Sequence, residues 1–134
     1  MRSLLMAGIV MAAGLAPQAA LSQAAPPQNV VTRYLVSPLE GDATREVRMQ
    51  SVTIPPGGSN AFHRHPGDQW ALVQEGEVTF SIKGQPPRLL KAGDSIHIPR
   101  GVVHRNQNLG DKPSRSVEVV ILDKDKPQTE QVPD

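Results

Sequence analysis

The sequence predicts an all-β fold, a small antiparallel β-barrel or jelly roll built from two sheets. Prolines and glycines interrupt the chain every several residues, and the intervals between them hold short β-type runs. These breaks read IPPGG, HPGD, EGE, KGQPP, KAGD, IPRG and NLGDKP. Many short strands with closely spaced turns are typical of sandwiches and barrels, and they leave helices little uninterrupted room.

The predicted strands run from residue 30 to residue 122. They comprise residues 30–36, 46–54, 69–74, 77–82, 95–98, 104–108 and 116–122. The clearest pattern is in residues 77–82, where Val78, Phe80 and Ile82 alternate with polar residues. Such a period of two indicates a strand with one buried face.

Residues 1–24 are predicted to be a secretory signal peptide. Arg2 precedes an apolar run from Leu4 to Leu15, and small residues follow near Ser22 and Ala24. The run is shorter than the roughly 20 residues needed to cross a bilayer, so no membrane anchor is expected. The alternative, an N-terminal helix of the domain, would need a polar face that this stretch lacks. We therefore expect a periplasmic or secreted protein, and the absence of cysteine is compatible with that.

The rest of the chain is predicted to be one domain at residues 25–122, followed by a loosely packed or disordered tail at residues 123–134. About 110 residues are enough for one core and too few for two. The whole chain has a formal net charge of +1 and only 3% aromatic residues, and no run of like charges is present. Neither nucleic acid nor an anionic membrane is therefore an expected partner.

Two histidines one residue apart are the clearest candidates for a functional site. In a strand, side chains at i and i+2 share a face, so His63 and His65 would point the same way. Residues 66–68 predict a hairpin turn that would return Gln69 beside the pair. His104 follows turn residues that could aim it at the same point. Neutral imidazole is the commonest metal ligand, although an isolated His-x-His is more often an exposed polar pair.

The segments around these histidines resemble the two conserved motifs of the cupin superfamily. The first motif reads Gly, five residues, His-x-His, three or four residues, Glu, six residues, Gly. This chain matches it from Gly57 to Gly76, except that Gln69 stands at the glutamate position. The second motif reads Gly, five residues, Pro-x-Gly, two residues, His, three residues, Asn, and it is matched at every position from Gly93 to Asn108. The intervening residues suit the short spacer of bacterial single-domain cupins.

The resemblance implies a cupin barrel that holds one divalent transition metal on His63, His65 and His104. The metal could be Fe, Mn, Ni, Cu, Co or Zn. Gln69 would be either a fourth ligand or a neighbour that hydrogen-bonds to a ligand. An amide oxygen brings no negative charge, so the ion should be a stronger Lewis acid that is held less tightly. An amide also cannot act as a general base. The family further implies a homodimer.

Open coordination positions on such an ion favour an enzyme. Our first hypothesis is an exported, metal-dependent oxidoreductase of the dioxygenase type that acts on a small enolisable or phenolic substrate. A metal-dependent isomerase or lyase is a second enzymatic possibility, which the missing base disfavours. The competing hypothesis is a non-catalytic cupin that binds a small sugar, a small acid or the metal itself.

The other polar residues near the motifs are expected to have structural roles. His97 is expected to be a structural or lumen-lining residue and not a fourth ligand. Trp70 should point out of the barrel and cover a core or a subunit interface. Arg64 and Arg105 should face away from the metal in surface salt links. Asn108 is expected to be structural, because the family motif uses it in that way.

Overall fold

The computed structural model of the protein describes residues 27–133, so the predicted signal peptide lies outside the described residues. Residues 27–133 form ten strands and no helix. The strands are β1 Val30–Leu39, β2 Asp42–Ile54, β3 His63–Arg64, β4 Gly67–Glu75, β5 Glu77–Ile82, β6 Arg88–Lys91, β7 Ser95–Ile98, β8 His104–Gln107, β9 Ser114–Asp123 and β10 Glu130–Gln131. Residues 27–133 contain no helix that is long and apolar enough to span a bilayer.

The strands form two antiparallel sheets of five strands each. The first sheet has the order β1-β2-β9-β4-β7, and the second has the order β10-β3-β8-β5-β6. The predicted all-β fold of two sheets is confirmed. All seven predicted strands are present, and the three that were missed, β3, β6 and β10, are only two to four residues long. Runs that short show no measurable alternation.

The hairpin predicted at residues 66–68 is wrong. Strand β3 belongs to the second sheet and β4 to the first, so the chain crosses between the sheets at this point. A glycine is needed there, because a Cβ on Gly67 would lie 1.7 Å from the carbonyl oxygen of Ile121 on β9. The crossing places Gln69 on the sheet that faces the histidines.

The space between the sheets has an apolar part and a polar part. The apolar part is a buried cluster of Val73, Val78, Phe80, Leu90 and Ile98. Burial of each such side chain contributes about 1.5–3 kcal/mol to stability. The alternation predicted for β5 is confirmed there, since Val78 and Phe80 are buried between the sheets. The two parts meet at Gln69 and Glu118, which line cavities in both.

The C-terminal segment is packed against the barrel. Strand β10 pairs with β3, with Glu130 opposite Arg64, and the amide of Val132 donates to the carbonyl of Phe62 over 2.9 Å. The predicted tail therefore contains a short strand, although most of residues 124–133 are exposed. The partners of this segment lie far away in sequence, so no local pattern could have revealed the pairing.

Candidate metal centre

The structure brings the three predicted histidines together in the barrel. His63 and His104 are directly opposite each other on β3 and β8, and His65 lies just beyond the end of β3. The ring centroids are 4.4 Å apart for His63 and His104, 5.0 Å for His63 and His65, and 5.1 Å for His65 and His104. All three side chains are buried. One ring nitrogen from each lies within 4.8 Å of the other two, as a shared metal ion requires.

Each ring is held by a backbone carbonyl on its Nδ1 side. The distances are 2.8 Å from His63 to the oxygen of Ala61, 2.6 Å from His65 to that of Gln128, and 3.0 Å from His104 to that of Val102. A carbonyl only accepts, so Nδ1 carries the proton and Nε2 keeps its lone pair. The Nε2 atoms of His65 and His104 are buried and have no hydrogen-bond partner.

Burial favours the neutral form of all three rings. Desolvation lowers the pKa of His63 and of His65 from the usual 6.5, against the opposing effect of their carbonyl partners. Desolvation also lowers the pKa of His104, to about 4. Neutral rings with free lone pairs are the form in which imidazole binds a metal.

Gln69 completes the group from the facing sheet. It is buried on β4, lines the same cavity as His63 and His65, and its amide contacts the ring of His65. Its Oε1 is buried and has no hydrogen-bond partner. Lone pairs of nitrogen and oxygen therefore face one another with no donor between them, an arrangement that costs free energy unless a cation satisfies it. The donors fit a transition metal, and the fold gathers three of the four predicted residues, His63, His65 and His104, into one group.

One buried carboxyl group beside this site was missed in the sequence. Glu118 on β9 is only 6% exposed and lines the cavity with Gln69. Its cross-strand neighbour Gln50 donates an Nε2–H to Glu118 Oε2 over 3.0 Å. Desolvation raises the pKa of Glu118, and hydrogen bonds from Gln50 and Gln69 oppose that rise. Strand β9 is apolar on both faces around this residue, so alternation did not indicate which way Glu118 points.

His63 and His65 open onto a cavity of about 430 Å³. Seven asparagine and glutamine residues line it, together with Glu118 and one cationic residue, Arg33. Only Val31 and Val52 are apolar, and histidine apart, no aromatic residue is part of the lining. The cavity therefore offers hydrogen-bond donors and acceptors to a small hydrophilic molecule.

His97 and Trp70 lie on the outside of the barrel. Their rings stack with centroids 4.9 Å apart and an interplanar angle of 9°. His97 also lies 3.1 Å from a carboxylate oxygen of Asp68. The predicted outward direction of Trp70 is confirmed, and the suggestion that His97 lines the lumen is wrong. Its neighbours Ile96 and Ile98 point inward, so their strand places His97 on the other face.

The predicted surface salt link is confirmed for Arg64, which forms an ion pair with Glu130. It is wrong for Arg105, which lies over the ring of Phe62, 4.6 Å from its centroid, and has no ion pair among the described residues. Asn108 is fully buried and hydrogen-bonds only to backbone groups, which agrees with its expected structural role.

The family model described as "Cupin domain" matches residues 50–120, more than half of the chain. The protein therefore belongs to the cupin family. It is similar to oxalate oxidase 1 of Hordeum vulgare, with 33% identity over 93 residues that cover 63% of this chain and 46% of the relative.

Two solved structures show the same fold. Oxalate oxidase in complex with the substrate analogue glycolate has a TM-score of 0.60 and 28% identity, covering 78% of this chain and 55% of that one. The DMSP lyase DddQ from Ruegeria pomeroyi has a TM-score of 0.57 and 26% identity, covering 64% of this chain and 43% of that one. This chain spans less than half the length of the oxalate oxidase relatives.

Proposed function

We propose that the protein is a metal-dependent oxidoreductase of the dioxygenase type and that its substrate is a small hydrophilic acid. The observation that supports this most directly is the set of buried, unpartnered lone pairs on His65, His104 and Gln69. His65 and Gln69 also line an open, amide-rich cavity. A bound transition metal supplies Lewis acidity and a place where dioxygen and substrate can meet. His63, His65 and His104, with Gln69 beside them, would hold that ion.

The lining of the cavity favours an acid over a phenol. A phenolic ring is bound best by aromatic or broad apolar surfaces, and Val31 and Val52 offer little of either. Arg33 supplies a cation, and its guanidinium already donates to the side-chain oxygen of Gln128 over 3.3 Å. A guanidinium together with several amides suits a carboxylate and its neighbouring oxygens. The similarity to an oxidase named for oxalate, with glycolate as a substrate analogue, agrees with this choice.

Oxygen uptake by the metal-loaded protein tests the proposal. The protein would be loaded separately with Mn²⁺, Fe²⁺, Co²⁺ and Cu²⁺ and offered oxalate, glycolate, small enolisable acids and catechols. We expect oxygen consumption with an acid, loss of that consumption in His104→Ala, and weaker apparent binding of the acid in Arg33→Gln. Oxygen consumption with catechols alone would contradict the assignment of the substrate.

A non-catalytic binding protein is the second candidate, and Gln69 is the residue that favours it. An amide cannot accept a substrate proton in the way that a glutamate at this position could. Tight binding of an acid or a sugar, with no oxygen consumption for any metal, would support this candidate. Product formation from a small acid without oxygen consumption would instead support a lyase or isomerase.

We also propose export to the periplasm and a homodimer. Trp70 and Leu72 are 42% and 44% exposed on the outer face of the first sheet, where a second subunit could cover them. Sedimentation of the mature chain, compared with Trp70→Ser, tests the dimer. Fractionation of cells that express the full sequence tests export.

A further inference from the structure

Glu118 lies between two glutamine side chains at the inner wall of the metal cavity. Gln50 is directly opposite it on β2 and donates to it. On its other side, Gln69 is opposite Val120 of β9, two residues further along that strand. Side chains at such diagonal positions of an antiparallel pair share a face and can touch when they are long. Both side chains are buried and line the same two cavities, and a hydrogen bond from Gln69 opposes the rise in the pKa of Glu118.

This contact decides which end of the Gln69 amide faces the histidines. The amide has a donor end and an acceptor end, and the Glu118 carboxyl is the acceptor towards both Gln50 and Gln69. With the Nε2 end of Gln69 on Glu118, Oε1 is turned towards His65, where it is buried and unpartnered. The reverse orientation would set Oε1 against the carboxylate oxygens and point N–H donors at the metal position.

We propose that Glu118 is a positioning residue that holds the Gln69 amide with Oε1 directed at the three imidazoles, so that Gln69 is the fourth metal donor. The inference rests on the proposed metal centre and goes beyond it, because it gives a role to a residue outside both motifs.

Metal binding measured as a double-mutant cycle tests this role. The Mn²⁺ affinities of the wild type, Glu118→Leu, Gln69→Ala and the double variant would be measured from the electron paramagnetic resonance signal of free Mn²⁺. Loss of a group that orients a metal ligand weakens affinity by about 10–100-fold. We expect a loss of that size in Glu118→Leu and no further loss when Glu118→Leu is added to Gln69→Ala.

Two further variants separate this role from general damage to the fold. Glu118→Gln keeps an acceptor for Gln69 without the charge, so we expect a loss smaller than that of Glu118→Leu. Ser51→Ala removes another buried polar group of the same sheet, a hydroxyl that pairs with Tyr34 over 2.7 Å and is outside the cavity lining. We expect Ser51→Ala to lower stability and to leave Mn²⁺ affinity unchanged.

The visible absorption of the Co²⁺-loaded protein reports the donor set directly. We expect Glu118→Leu and Gln69→Ala to give the same altered spectrum, because both would remove the same oxygen donor.

Full additivity in the cycle, or an unchanged affinity and spectrum in Glu118→Leu, would overturn the inference while leaving a three-histidine metal site and the proposed activity intact. Failure of the oxygen-uptake assay in a protein that shows the expected cycle would overturn the proposed activity alone. A wild type that binds neither ion would overturn both.

Discussion

The Nδ1 atom of His65 lies 2.6 Å from the backbone oxygen of Gln128 and donates its proton to it. The segment that follows β9 therefore fixes the orientation of one predicted metal ligand. Residues 63 positions apart are joined in this way, and β10 holds the segment in place by pairing with β3.

Removal of residues 126–134 is expected to weaken Mn²⁺ binding by about 10–100-fold, because His65 would lose the partner that sets its tautomer and ring orientation. Titration followed by electron paramagnetic resonance measures the change. Glu130→Gln is the matched control, since it weakens only an exposed ion pair with Arg64, and such pairs contribute about 0–1 kcal/mol. Full Mn²⁺ affinity in the truncated protein would show that His65 does not need the carbonyl.

The stability of the metal-free protein is expected to fall as the pH is lowered from 6.5 towards 4. The folded protein holds the pKa of all three ligand histidines below 6.5, and that of His104 at about 4. In this window the unfolded chain binds more protons than the folded one, so acid favours unfolding, by roughly 3 kcal/mol for His104 alone. Above pH 6.5 the rings are neutral in both states and contribute no slope.

Urea unfolding at a series of pH values measures this dependence. His104→Gln is expected to reduce the slope, whereas His97→Gln, a change on the outer face of the barrel, is expected to retain it. A flat profile between pH 6.5 and 4 in the wild type would be inconsistent with neutral, desolvated rings.

Gln69→Glu is expected to slow the loss of metal to a chelator, because a carboxylate adds a negative charge to the ligand set. The same change should destabilise the metal-free protein, since the new carboxyl would contact Glu118. The double variant with Gln69→Glu and Glu118→Gln should recover that stability and should still release the metal more slowly than the wild type. Unchanged metal release in Gln69→Glu would mean that the side chain at this position does not touch the ion.

Asn108→Asp is expected to destabilise the fold by roughly 3 kcal/mol or more, because two buried carbonyls would lose their donor and face a carboxyl group. Asn108 Nδ2 donates to the oxygens of Ile54 and Lys112 over 2.8 and 2.7 Å. Asn60→Asp is the control, since the Oδ1 of Asn60 accepts from the amide of Asn106 and an aspartate retains that acceptor. Thermal or urea unfolding distinguishes the two variants, and equal small losses would contradict the role given to Asn108.

The sequence by itself determined the β class and the two glycine-punctuated motifs, and it singled out the three histidines that the structure brings together. Alternation in β5 indicated its buried face correctly, and the spacing of His63 and His65 indicated that their rings lie on the same side of the chain. These features are local, because the period of a strand and the geometry of a turn depend on neighbouring residues.

Only the tertiary structure decided that Glu118 faces the metal cavity, that His97 lies outside it and that residues 124–133 support His65. The alternation of side chains along a strand shows which residues share a face. It does not show which face points into the barrel when both faces are apolar, as on β9. After His65 the chain crosses to the other sheet, and the carbonyl that contacts its ring comes from a distant segment. Both features depend on pairing between segments that are far apart in sequence. Those contacts are decided by packing of the whole barrel and have no local signal.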